Sequence, residues 1–288
     1  MTASGAAKLA GIVGWPVAQT YSPRLHGYWL NELAIDGLYV PLAVRPEDFS
    51  RVIRAVMRAG FKGVNVTIPH KEAAFALCHD CDLAARIAGA ANLLLFHADG
   101  RIEGRNTDAA GFAGSVREHL GTEALRGKTI VVLGAGGAAR AVAVALNDLG
   151  AGEIRIVNRN RARAEQFVAQ LSPNVTPQIQ IFAVADWAEA AKDTVLTVNA
   201  TSAGMLGTPS LDLSLDGLPK DAWICDIVYN PLETELLKRA RKSGLRTIDG
   251  LGMLMHQGVP AFAAFYGAEA NVTPALRQYL EEALSRGK

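Results

Sequence analysis

The amino-acid sequence predicts an α/β fold organised as two domains. Apolar runs typical of strands alternate with amphipathic helical stretches along nearly the whole chain of 288 residues. A second series of such runs opens at Gly127-Lys128, after a hairpin has ended the first series. This length is enough for two ordinary domains with ample core, and we place the boundary between them near residues 105–110.

The first series contains three strand–helix pairs and then the hairpin. The runs KLAGIVG, LYVPLAV and GVNVTI each precede a helical segment. Those segments are SPRLHGYWLNELAI, PEDFSRVIRAVMRAG and HKEAAFALCHDCDLAARIA. NLLLFHADGRIEGRN is typical of a hairpin with Asp99-Gly100 in its turn.

The stretch GVNVTIPHK ends the third strand of this series. The apolar side chains expected on its core face are Val64, Val66 and Ile68. Asn65 and Thr67 are expected on the opposite face, and Pro69 at the first position of the next helix. Lys71 then lies in the first turn of that helix, where its charge opposes the positive end of the helix dipole. A lysine in this position needs a reason.

From Gly127 onward the sequence predicts a parallel, doubly wound sheet. Helical segments join most of the candidate buried strands, which is the alternation expected when helices cover both faces of a parallel sheet. The candidate strands are TIVVLG, EIRIVN, TVLTVNAT, WICDIVY and the shorter LRTID. The tail from Gly250 onward is mostly helical and contains Pro260.

Composition excludes several classes of protein. Hydrophobic residues make up 50% of the chain, charged residues 20%, and the formal net charge is +1. With a pI near 7.8, the protein has no field suited to gathering nucleic acid or anionic lipid. No run of roughly 18 apolar residues predicts a membrane span, and the N-terminal segment is interpreted as a strand and not as a signal peptide. We expect a small-molecule substrate as partner, and neither nucleic acid nor membrane.

The three cysteines predict a reducing, cytoplasmic environment, because they cannot form a full disulfide framework. Cys78 and Cys81 have C-x-x-C spacing, but no second Cys/His pair follows to complete a zinc site. We interpret both as ordinary helix residues and predict no metal.

The clearest motif is a glycine-rich turn that follows the strand TIVVL and opens a helical run. Its residues are Gly134, Ala135, Gly136, Gly137, Ala138 and Ala139, which match G-x-G-x-x-A. The first glycine permits the tight turn, the second lets a pyrophosphate approach the backbone, and the small last residue lets helix and strand pack closely. Free N–H groups at the helix start then bind the anion. The motif predicts a dinucleotide site.

The end of the following strand indicates which dinucleotide binds. An NAD site usually has an acidic residue there, which accepts a hydrogen bond from the ribose 2′-hydroxyl. The sequence instead has Asn158 followed by Arg159 and Arg163, whose guanidinium groups are suited to a 2′-phosphate. We therefore predict NADP rather than NAD.

Several polar residues lie near strand ends in the first half of the chain. Taken singly, each has a structural explanation: Ser22 as a helix cap with Pro23 after it, and Thr107 or Asp108 as the cap of another helix. Thr20 is not needed for the first cap, so its hydroxyl and that of Ser22 are candidates to hold a carboxylate. A common position beyond strand ends favours a ligand site instead. That set is Asn65, Thr67, Lys71, Asn92, Thr107 and Asp108. It suits a small polyhydroxylated acid, with Lys71 and Asp108 as a proton-transfer pair for alcohol–ketone interconversion.

The sequence resembles the shikimate dehydrogenase family over essentially its whole length. The matching motifs are GWPVAQTYSPRLH, GVNVTIPHK, AGAANLL, GRNTDAAGF, VVLGAGGAARAV, VNRNRARAEQ, VNATSAGM, DIVYNPLETELL and DGLGMLMHQG. Their order and spacing are highly specific. The resemblance implies the reversible reduction of 3-dehydroshikimate to shikimate with NADPH, a step in aromatic amino acid biosynthesis.

The resemblance also implies a fold and a role for individual residues. Residues 1–108, completed by C-terminal helices in 251–288, would bind substrate, and a Rossmann domain of residues 109–250 would bind NADP. Lys71 and Asp108 match the catalytic pair. The substrate positions are Thr20, Ser22, Asn65, Thr67, Lys71, Asn92, Thr107, Asp108, Tyr229 and Gln257. The cofactor positions are Gly134, Ala135, Gly136, Gly137, Ala138, Ala139, Asn158, Arg159, Arg163, Thr201, Met205, Ile227, Gly250 and Met253. For the oligomeric state we consider a homodimer.

Two positions depart from the family's pattern, and two other functions stay open. The family usually has Ser-x-Ser as its carboxylate clamp, where this chain has Thr20-Tyr21-Ser22 and therefore an added methyl group. Asn160 stands where the family often has threonine. The alternatives are a broader quinate/shikimate dehydrogenase, with NAD as a cofactor, and a catalytically silent regulator that binds NADP or a metabolite. Retention of both Lys71 and Asp108 argues against the regulator.

Overall fold

The computed structural model describes residues 3–286 and divides into two compact units. The first unit is Met1–Thr107 with Gln257–Ala283, and the second is Asp108–His256 with Leu284–Lys288. Strands and helices alternate through both units, so the predicted α/β class is confirmed.

The first unit is built on a six-stranded mixed sheet. Its strands are β1 (Lys8–Gly14), β2 (Gly37–Ala43), β3 (Gly63–Val66), β4 (Asp80–Cys81), β5 (Leu93–Phe96) and β6 (Ile102–Arg105). They lie in the order β2-β1-β3-β5-β6-β4. β1 runs parallel to β2 and β3, whereas β5 is antiparallel to β3 and β6. The predicted hairpin is confirmed as β5–β6, with Gly100 at a φ of 86° in its turn.

Four helices accompany these strands along the chain. They are α1 (Ser22–Glu32), α2 (Phe49–Arg58), α3 (Lys71–Leu77) and α4 (Leu83–Ala88). Phe49 and Ile53 of α2 are buried because they lie one turn apart on the same helix face, and they pack in one cluster with Val64 and Val66 of β3. Apolar strand residues and one apolar helix face thus make the core of this part of the unit.

The chain beyond β3 differs from the expectation for GVNVTIPHK. β3 ends at Val66, and Ile68 is 63% exposed, so its predicted place on the core face is wrong. Pairing with β5 stops at Asn65↔Leu93, and alternation directs side chains into a core only while a strand stays within its sheet. Pro69 follows a cis peptide bond, and α3 begins at Lys71, two residues later than predicted.

The helix predicted over HKEAAFALCHDCDLAARIA is divided into two. α3 ends at Leu77, and Cys78 is extended with φ −75° and ψ 144°. Cys81 belongs to β4 and pairs with Gly104 of β6, and α4 then starts after Asp82, whose Oδ1 accepts a hydrogen bond of 2.7 Å from the amide of Ala85. The interpretation of Cys78 and Cys81 as helix residues is therefore wrong.

The second unit contains a six-stranded, fully parallel sheet. Its strands are β7 (Thr129–Leu133), β8 (Glu153–Val157), β9 (Gln178–Phe182), β10 (Leu196–Asn199), β11 (Trp223–Asp226) and β12 (Arg246–Ile248). The strand order is β12-β11-β10-β7-β8-β9, so the direction of winding reverses between β7 and β10. In sheets of this type, ligands bind beyond the strand ends at that reversal. The predicted doubly wound sheet is confirmed, and β9 is a strand that sequence analysis missed.

Five helices connect or precede these strands. They are α5 (Asp108–Leu120), α6 (Gly137–Asp148), α7 (Arg161–Leu171), α8 (Trp187–Ala190) and α9 (Glu235–Lys242). The C-terminal helices follow as α10 (Gly250–Tyr266), with Pro260 inside it, and α11 (Pro274–Arg286). The division between the two units falls within α10, between His256 and Gln257.

Candidate active site

A buried chain of amides and hydroxyls in the first unit joins four predicted substrate residues. The Nδ2 atom of Asn65 donates to the backbone carbonyl of Asn92 over 3.2 Å. Asn92 donates through its own Nδ2 to Thr107 Oγ1 (3.0 Å), and its Oδ1 accepts from the amide of Thr107 (2.8 Å). Thr107 Oγ1 lies 3.5 Å from Gln257 Oε1. Asn65, Asn92 and Thr107 are each 5% exposed or less, so their polar groups are held in place by one another.

Lys71 lies beside this chain of side chains. It is half-buried at the start of α3, and its carbonyl oxygen accepts a hydrogen bond of 2.9 Å from the amide of Ala91, the neighbour of Asn92. The preceding residue, His70, is only 2% exposed, and its Nε2 donates to the carbonyl of Val44 over 2.8 Å. The imidazole also stacks on Phe49 with ring centroids 4.7 Å apart. These contacts fix the backbone from which the Lys71 side chain extends.

Thr107 lies within this chain, between Asn92 and Gln257, and Asp108 is the next residue of the sequence. Asp108 is the first residue of α5, is 6% exposed and belongs to the second unit. The Thr107 hydroxyl bonds to the side chain of Asn92. Asn92 therefore gives the Thr107 hydroxyl a hydrogen-bond partner within the first unit.

Thr67 lies between β3 and α3 and is half-buried. Its amide donates to the carbonyl of Val13 over 2.9 Å, and its methyl group fills the space that a side chain at Gly14 would need. The threonine is thereby held at the carboxyl ends of β1 and β3.

The predicted carboxylate clamp at the start of α1 differs in detail from expectation. Tyr21 is the residue before the helix and Ser22 its first residue, so Ser22 does not cap α1 and the predicted cap is wrong. Instead, Thr20 Oγ1 accepts from the amide of Ser22 over 3.3 Å and lies 3.3 Å from the Ser22 hydroxyl. Thr20 therefore satisfies one amide of the first helical turn, and the two hydroxyls are held next to each other.

The glycine-rich turn of the second unit has the geometry of a phosphate-binding turn. Gly134 has a φ of 109°, and a Cβ there would lie 2.9 Å from the Thr201 methyl group and 3.3 Å from the carbonyl of Ala200. Only glycine fits this position. α6 begins at Gly137 after Gly136, without a side-chain cap, so no side chain competes for the amides of its first turn. The turn follows β7 and Thr201 follows β10, which puts both at the reversal of the sheet.

The residues after β8 are basic and amidic, and two asparagines order the start of α7. Asn158 Nδ2 donates to the carbonyl of Asn160 over 2.7 Å, and Asn160 Oδ1 caps α7 by accepting from the amide of Arg163 over 2.9 Å. Arg163 reaches back to the glycine-rich turn, where its Nε lies 3.2 Å from the carbonyl oxygen of Ala135. Arg159 is exposed. The Arg163 guanidinium thus lies beside the turn, and residues 158–163, which follow β8, contain no carboxylate.

The remaining predicted residues of the second unit lie around the ends of β10 and β11. Met205, Ile227, Tyr229 and Met253 are half-buried. Gly250 lies so close to the backbone of Ile227 and Val228 that a Cβ would be 2.7 Å from the carbonyl carbon of Val228. A glycine is therefore required where α10 starts.

A buried carboxylate that sequence analysis missed organises these loops. Asp226 is 0% exposed and accepts hydrogen bonds from the Thr234 hydroxyl (2.7 Å), the Val228 amide (3.0 Å) and Asn199 Nδ2 (2.9 Å). Asn199 Oδ1 in turn accepts from the Thr201 hydroxyl over 2.7 Å. Burial raises the pKa of Asp226 above its usual range, and these hydrogen bonds oppose that rise. The sequence signal was an aspartate at the end of an apolar strand, WICDIV.

Sequence analysis also missed Tyr39 in the first unit. Its hydroxyl donates to Asn65 Oδ1 over 2.7 Å, and Tyr39 is 7% exposed. Nothing in the run LYVPLAV distinguishes this tyrosine from an ordinary strand residue.

Three further observations concern metal ions, membrane-spanning helices and the cysteines. Within residues 3–286, no group of three or more His, Cys, Asp or Glu side chains is arranged to hold a metal ion. No helix in the same part of the chain combines the length and the apolar composition needed to cross a bilayer. Cys78, Cys81 and Cys225 are free thiols.

Two family models match the chain. The model of the shikimate dehydrogenase substrate binding domain matches residues 12–94. The shikimate / quinate 5-dehydrogenase model matches residues 117–214. Together they cover more than half of the chain.

Known proteins match the chain over nearly its whole length. It is 49% identical to a shikimate dehydrogenase (NADP(+)) of Paramagnetospirillum magneticum, over 96% of this chain and 99% of that protein. The shikimate 5-dehydrogenase of Thermus thermophilus, solved in complex with NADP(H) and shikimate, is 33% identical with a TM-score of 0.83 and coverage of 98% and 100%. A quinate dehydrogenase of Corynebacterium glutamicum, solved in complex with NAD, is 30% identical with a TM-score of 0.86 and coverage of 97% and 99%. The chain belongs to the shikimate dehydrogenase family, which confirms the resemblance read from the sequence.

Proposed function

We propose that this protein is an NADP-dependent shikimate dehydrogenase that reversibly reduces 3-dehydroshikimate to shikimate in aromatic amino acid biosynthesis. One observation carries the proposal. The hydrogen-bonded chain Asn65–Asn92–Thr107–Gln257, with Lys71 beside it, occurs in a protein 49% identical to a shikimate dehydrogenase (NADP(+)). The protein is accordingly an oxidoreductase.

The substrate is held by hydroxyls and amides, most of which belong to the first unit. Asn65, Asn92, Thr107 and Gln257 offer donors and acceptors to its hydroxyl groups, and Thr67 and Tyr229 add two more hydroxyls. The paired hydroxyls of Thr20 and Ser22 are suited to its carboxylate, because hydroxyl donors beside the amides of a helix start favour an anion.

The residues of the second unit fit NADP. The crowded Gly134 and the uncapped start of α6 form a cradle for the pyrophosphate. Arg163, beside Ala135, and the exposed Arg159 are suited to the 2′-phosphate of the adenosine ribose, and Asn158 lies with them. The remaining residues proposed to contact the cofactor are Ala135, Gly136, Gly137, Ala138, Ala139, Thr201, Met205, Ile227, Gly250 and Met253. NADPH, when bound, supplies the hydride.

Lys71 and Asp108 are proposed to carry the proton. During reduction the substrate ketone oxygen gains negative charge, and the Lys71 ammonium stabilises that charge and donates a proton to it. Asp108 is proposed to orient the ammonium, and in the reverse direction the neutral Lys71 amine takes the proton back from the substrate hydroxyl. General acid–base catalysis by such a pair contributes typically ~10²- to 10⁴-fold to the rate.

The assignment of domains follows the same reasoning. We propose residues 1–108 with the helices of 251–288 as the substrate domain, and residues 109–250 as the NADP domain. The cytoplasm is the proposed location, because the three free cysteines suit a reducing compartment. Shikimate or 3-dehydroshikimate and NADP are the proposed partners, and a homodimer stays a prediction for measurement in solution.

A second candidate function is a broader quinate/shikimate dehydrogenase. The observation that favours it is Thr20, whose methyl group changes the clamp at the carboxylate end of the substrate site. The similarity to a quinate dehydrogenase solved with NAD supports testing both substrates.

One assay separates these functions. Initial rates are measured with shikimate and with quinate, each with NADP⁺ and with NAD⁺. We expect kcat/KM to be highest for shikimate with NADP⁺. A preference for NAD⁺ contradicts the cofactor assignment, and comparable kcat/KM values for quinate favour the broader enzyme. Binding of NADP⁺ without turnover of either acid indicates a silent regulator.

A further inference from the structure

The amide of Asn65 is fixed from two sides. One Nδ2 hydrogen is donated to the carbonyl oxygen of Asn92, which can only accept, so the nitrogen and oxygen of the amide are assigned without ambiguity. Asn65 Oδ1 therefore faces Tyr39, whose hydroxyl must donate across the 2.7 Å between them. Within residues 3–286, Asn65 makes no further hydrogen bond through its side chain, so one Nδ2 hydrogen remains.

The sheet register explains how Tyr39 reaches Asn65. Tyr39 is level with Ala10, and Asn65 is level with Ile12, two residues further along β1. Residues two apart on a strand share a face, so Tyr39 and Asn65 lie on one face of the sheet with β1 between them. Ala10 is small and 0% exposed, which leaves room for the phenol ring to extend diagonally over β1. The position of Tyr39 on β2 is thus suited to contact Asn65.

The ring of Tyr39 is held in turn by His26. The two rings stack with centroids 3.9 Å apart and planes 5° from parallel. His26 is 0% exposed, and neither of its ring nitrogens has a hydrogen-bond partner within the described residues. Burial lowers the pKa of His26 to about 3, so the imidazole is neutral and acts as an aromatic stacking partner for Tyr39. Phe265 is near both rings, with its centroid 6.3 Å from that of Tyr39 and 6.1 Å from that of His26.

We propose that Tyr39 is a positioning residue for substrate recognition, because its hydroxyl donates to Oδ1 of Asn65 and so helps to hold the amide in the orientation in which the remaining Nδ2 hydrogen is offered to the substrate. The inference rests on the proposed function, in which Asn65 contacts the substrate. It adds that Asn65 must meet an acceptor oxygen of the substrate, and that an amide free to rotate would lose this selectivity. A hydroxyl or ketone oxygen of the small acid meets that requirement.

Tyr39→Phe removes the hydroxyl and keeps the ring on His26. We expect the KM for shikimate to rise ~3- to 10-fold, with kcat changed less than ~2-fold, since one neutral hydrogen bond is lost and the amide is released. The KM for NADP⁺ should not change. Tyr266→Phe is the matched control, because Tyr266 is a buried tyrosine of the same unit that donates to the carbonyl of Leu38 over 3.0 Å. The control should leave both constants unchanged.

The double variant Tyr39→Phe/Asn65→Ala tests whether the two residues act together. If Tyr39 acts through Asn65, adding Tyr39→Phe to Asn65→Ala should not raise the KM for shikimate further. Two outcomes overturn the positioning role of Tyr39 and leave the proposed function standing. In the first, the effects of the two substitutions on the KM for shikimate are additive. In the second, Asn65→Ala raises the KM for shikimate, but Tyr39→Phe raises it no more than Tyr266→Phe does. If Asn65→Ala leaves the KM for shikimate unchanged, Asn65 does not contact the substrate as proposed, and the inference about Tyr39 loses its basis.

Discussion

The Nε atom of Arg163 donates a hydrogen bond to the carbonyl oxygen of Ala135, 3.2 Å away, and so ties the start of α7 to the glycine-rich turn. With Nε engaged in this way, the terminal nitrogens of the guanidinium are oriented by the turn itself. Because the turn is proposed to hold the pyrophosphate, the arginine is suited to recognise a second phosphate on the same nucleotide.

Arg163→Ala should therefore raise the KM for NADP⁺ by ~10- to 100-fold, the range expected for the loss of a hydrogen bond between charged groups. The KM for NAD⁺, which lacks the 2′-phosphate, should change by less than ~3-fold. Arg161→Ala is the matched control, since Arg161 is exposed and pairs with Glu165 over 2.9 Å. Equal losses for NADP⁺ and NAD⁺ would mean that Arg163 supports the turn and does not select the cofactor.

Lys71→Ala should lower kcat by ~10²-fold or more and leave the KM for shikimate within a few-fold. The reason is that the ammonium is proposed to stabilise charge that develops only as the ketone is reduced. Lys62→Ala, at an exposed lysine just before β3, is the control and should retain full activity. Turnover that survives the loss of Lys71 would show that another group carries the proton.

Thr20→Val keeps the shape of the side chain and removes its hydroxyl. Since Thr20 Oγ1 lies 3.3 Å from both the amide and the hydroxyl of Ser22, the variant leaves the clamp with one hydroxyl. We expect the KM for shikimate to rise ~10-fold, with kcat less affected. In Thr20→Ser the hydroxyl is retained and the methyl group is lost, so its KM for shikimate should stay close to that of the unmodified protein. If Thr20→Val behaves like Thr20→Ser, the carboxylate is bound elsewhere.

The local features of the site were predictable from the sequence because they depend on residues close together in the chain. The turn at Gly134 is defined by its glycines and by the strand before it. The start of α7 is defined by Asn160 and the arginines that follow. The alternation in GVNVT was enough to separate Asn65 from the buried valines on either side of it.

The parts that sequence analysis missed depend on contacts between distant residues. The segment around Cys78 has a helical composition, yet β4 forms there because Asp80 and Cys81 pair with Glu103 and Gly104 more than twenty residues later. The bond from Tyr39 to Asn65 likewise follows from the order β2-β1-β3, which no local pattern specifies. Hydrophobic periodicity therefore predicted most helices and strands. Which polar side chains contact each other depends on the order of the strands in the sheet, which periodicity does not specify.

His26 should make the stability of the protein depend on pH. Its pKa is lowered by burial from 6.5 to about 3, so between these values the unfolded chain binds a proton that the folded protein excludes. Stability from this group is therefore complete above pH ~6.5 and is lost as the pH falls toward 3. Integrated from pH 7.5 to pH 5, the loss is about 2 kcal/mol of unfolding free energy.

Urea unfolding at a series of pH values measures this effect. His26→Phe keeps an aromatic ring against Tyr39 but cannot bind a proton, so its unfolding free energy should fall less steeply on acidification than that of the unmodified protein. The comparison of slopes is independent of any constant change in stability caused by the larger ring. If the unfolding free energies of His26→Phe and of the unmodified protein fall equally steeply on acidification, His26 binds a proton in the folded state as it does in the unfolded chain. That result would contradict its role as a neutral stacking partner of Tyr39.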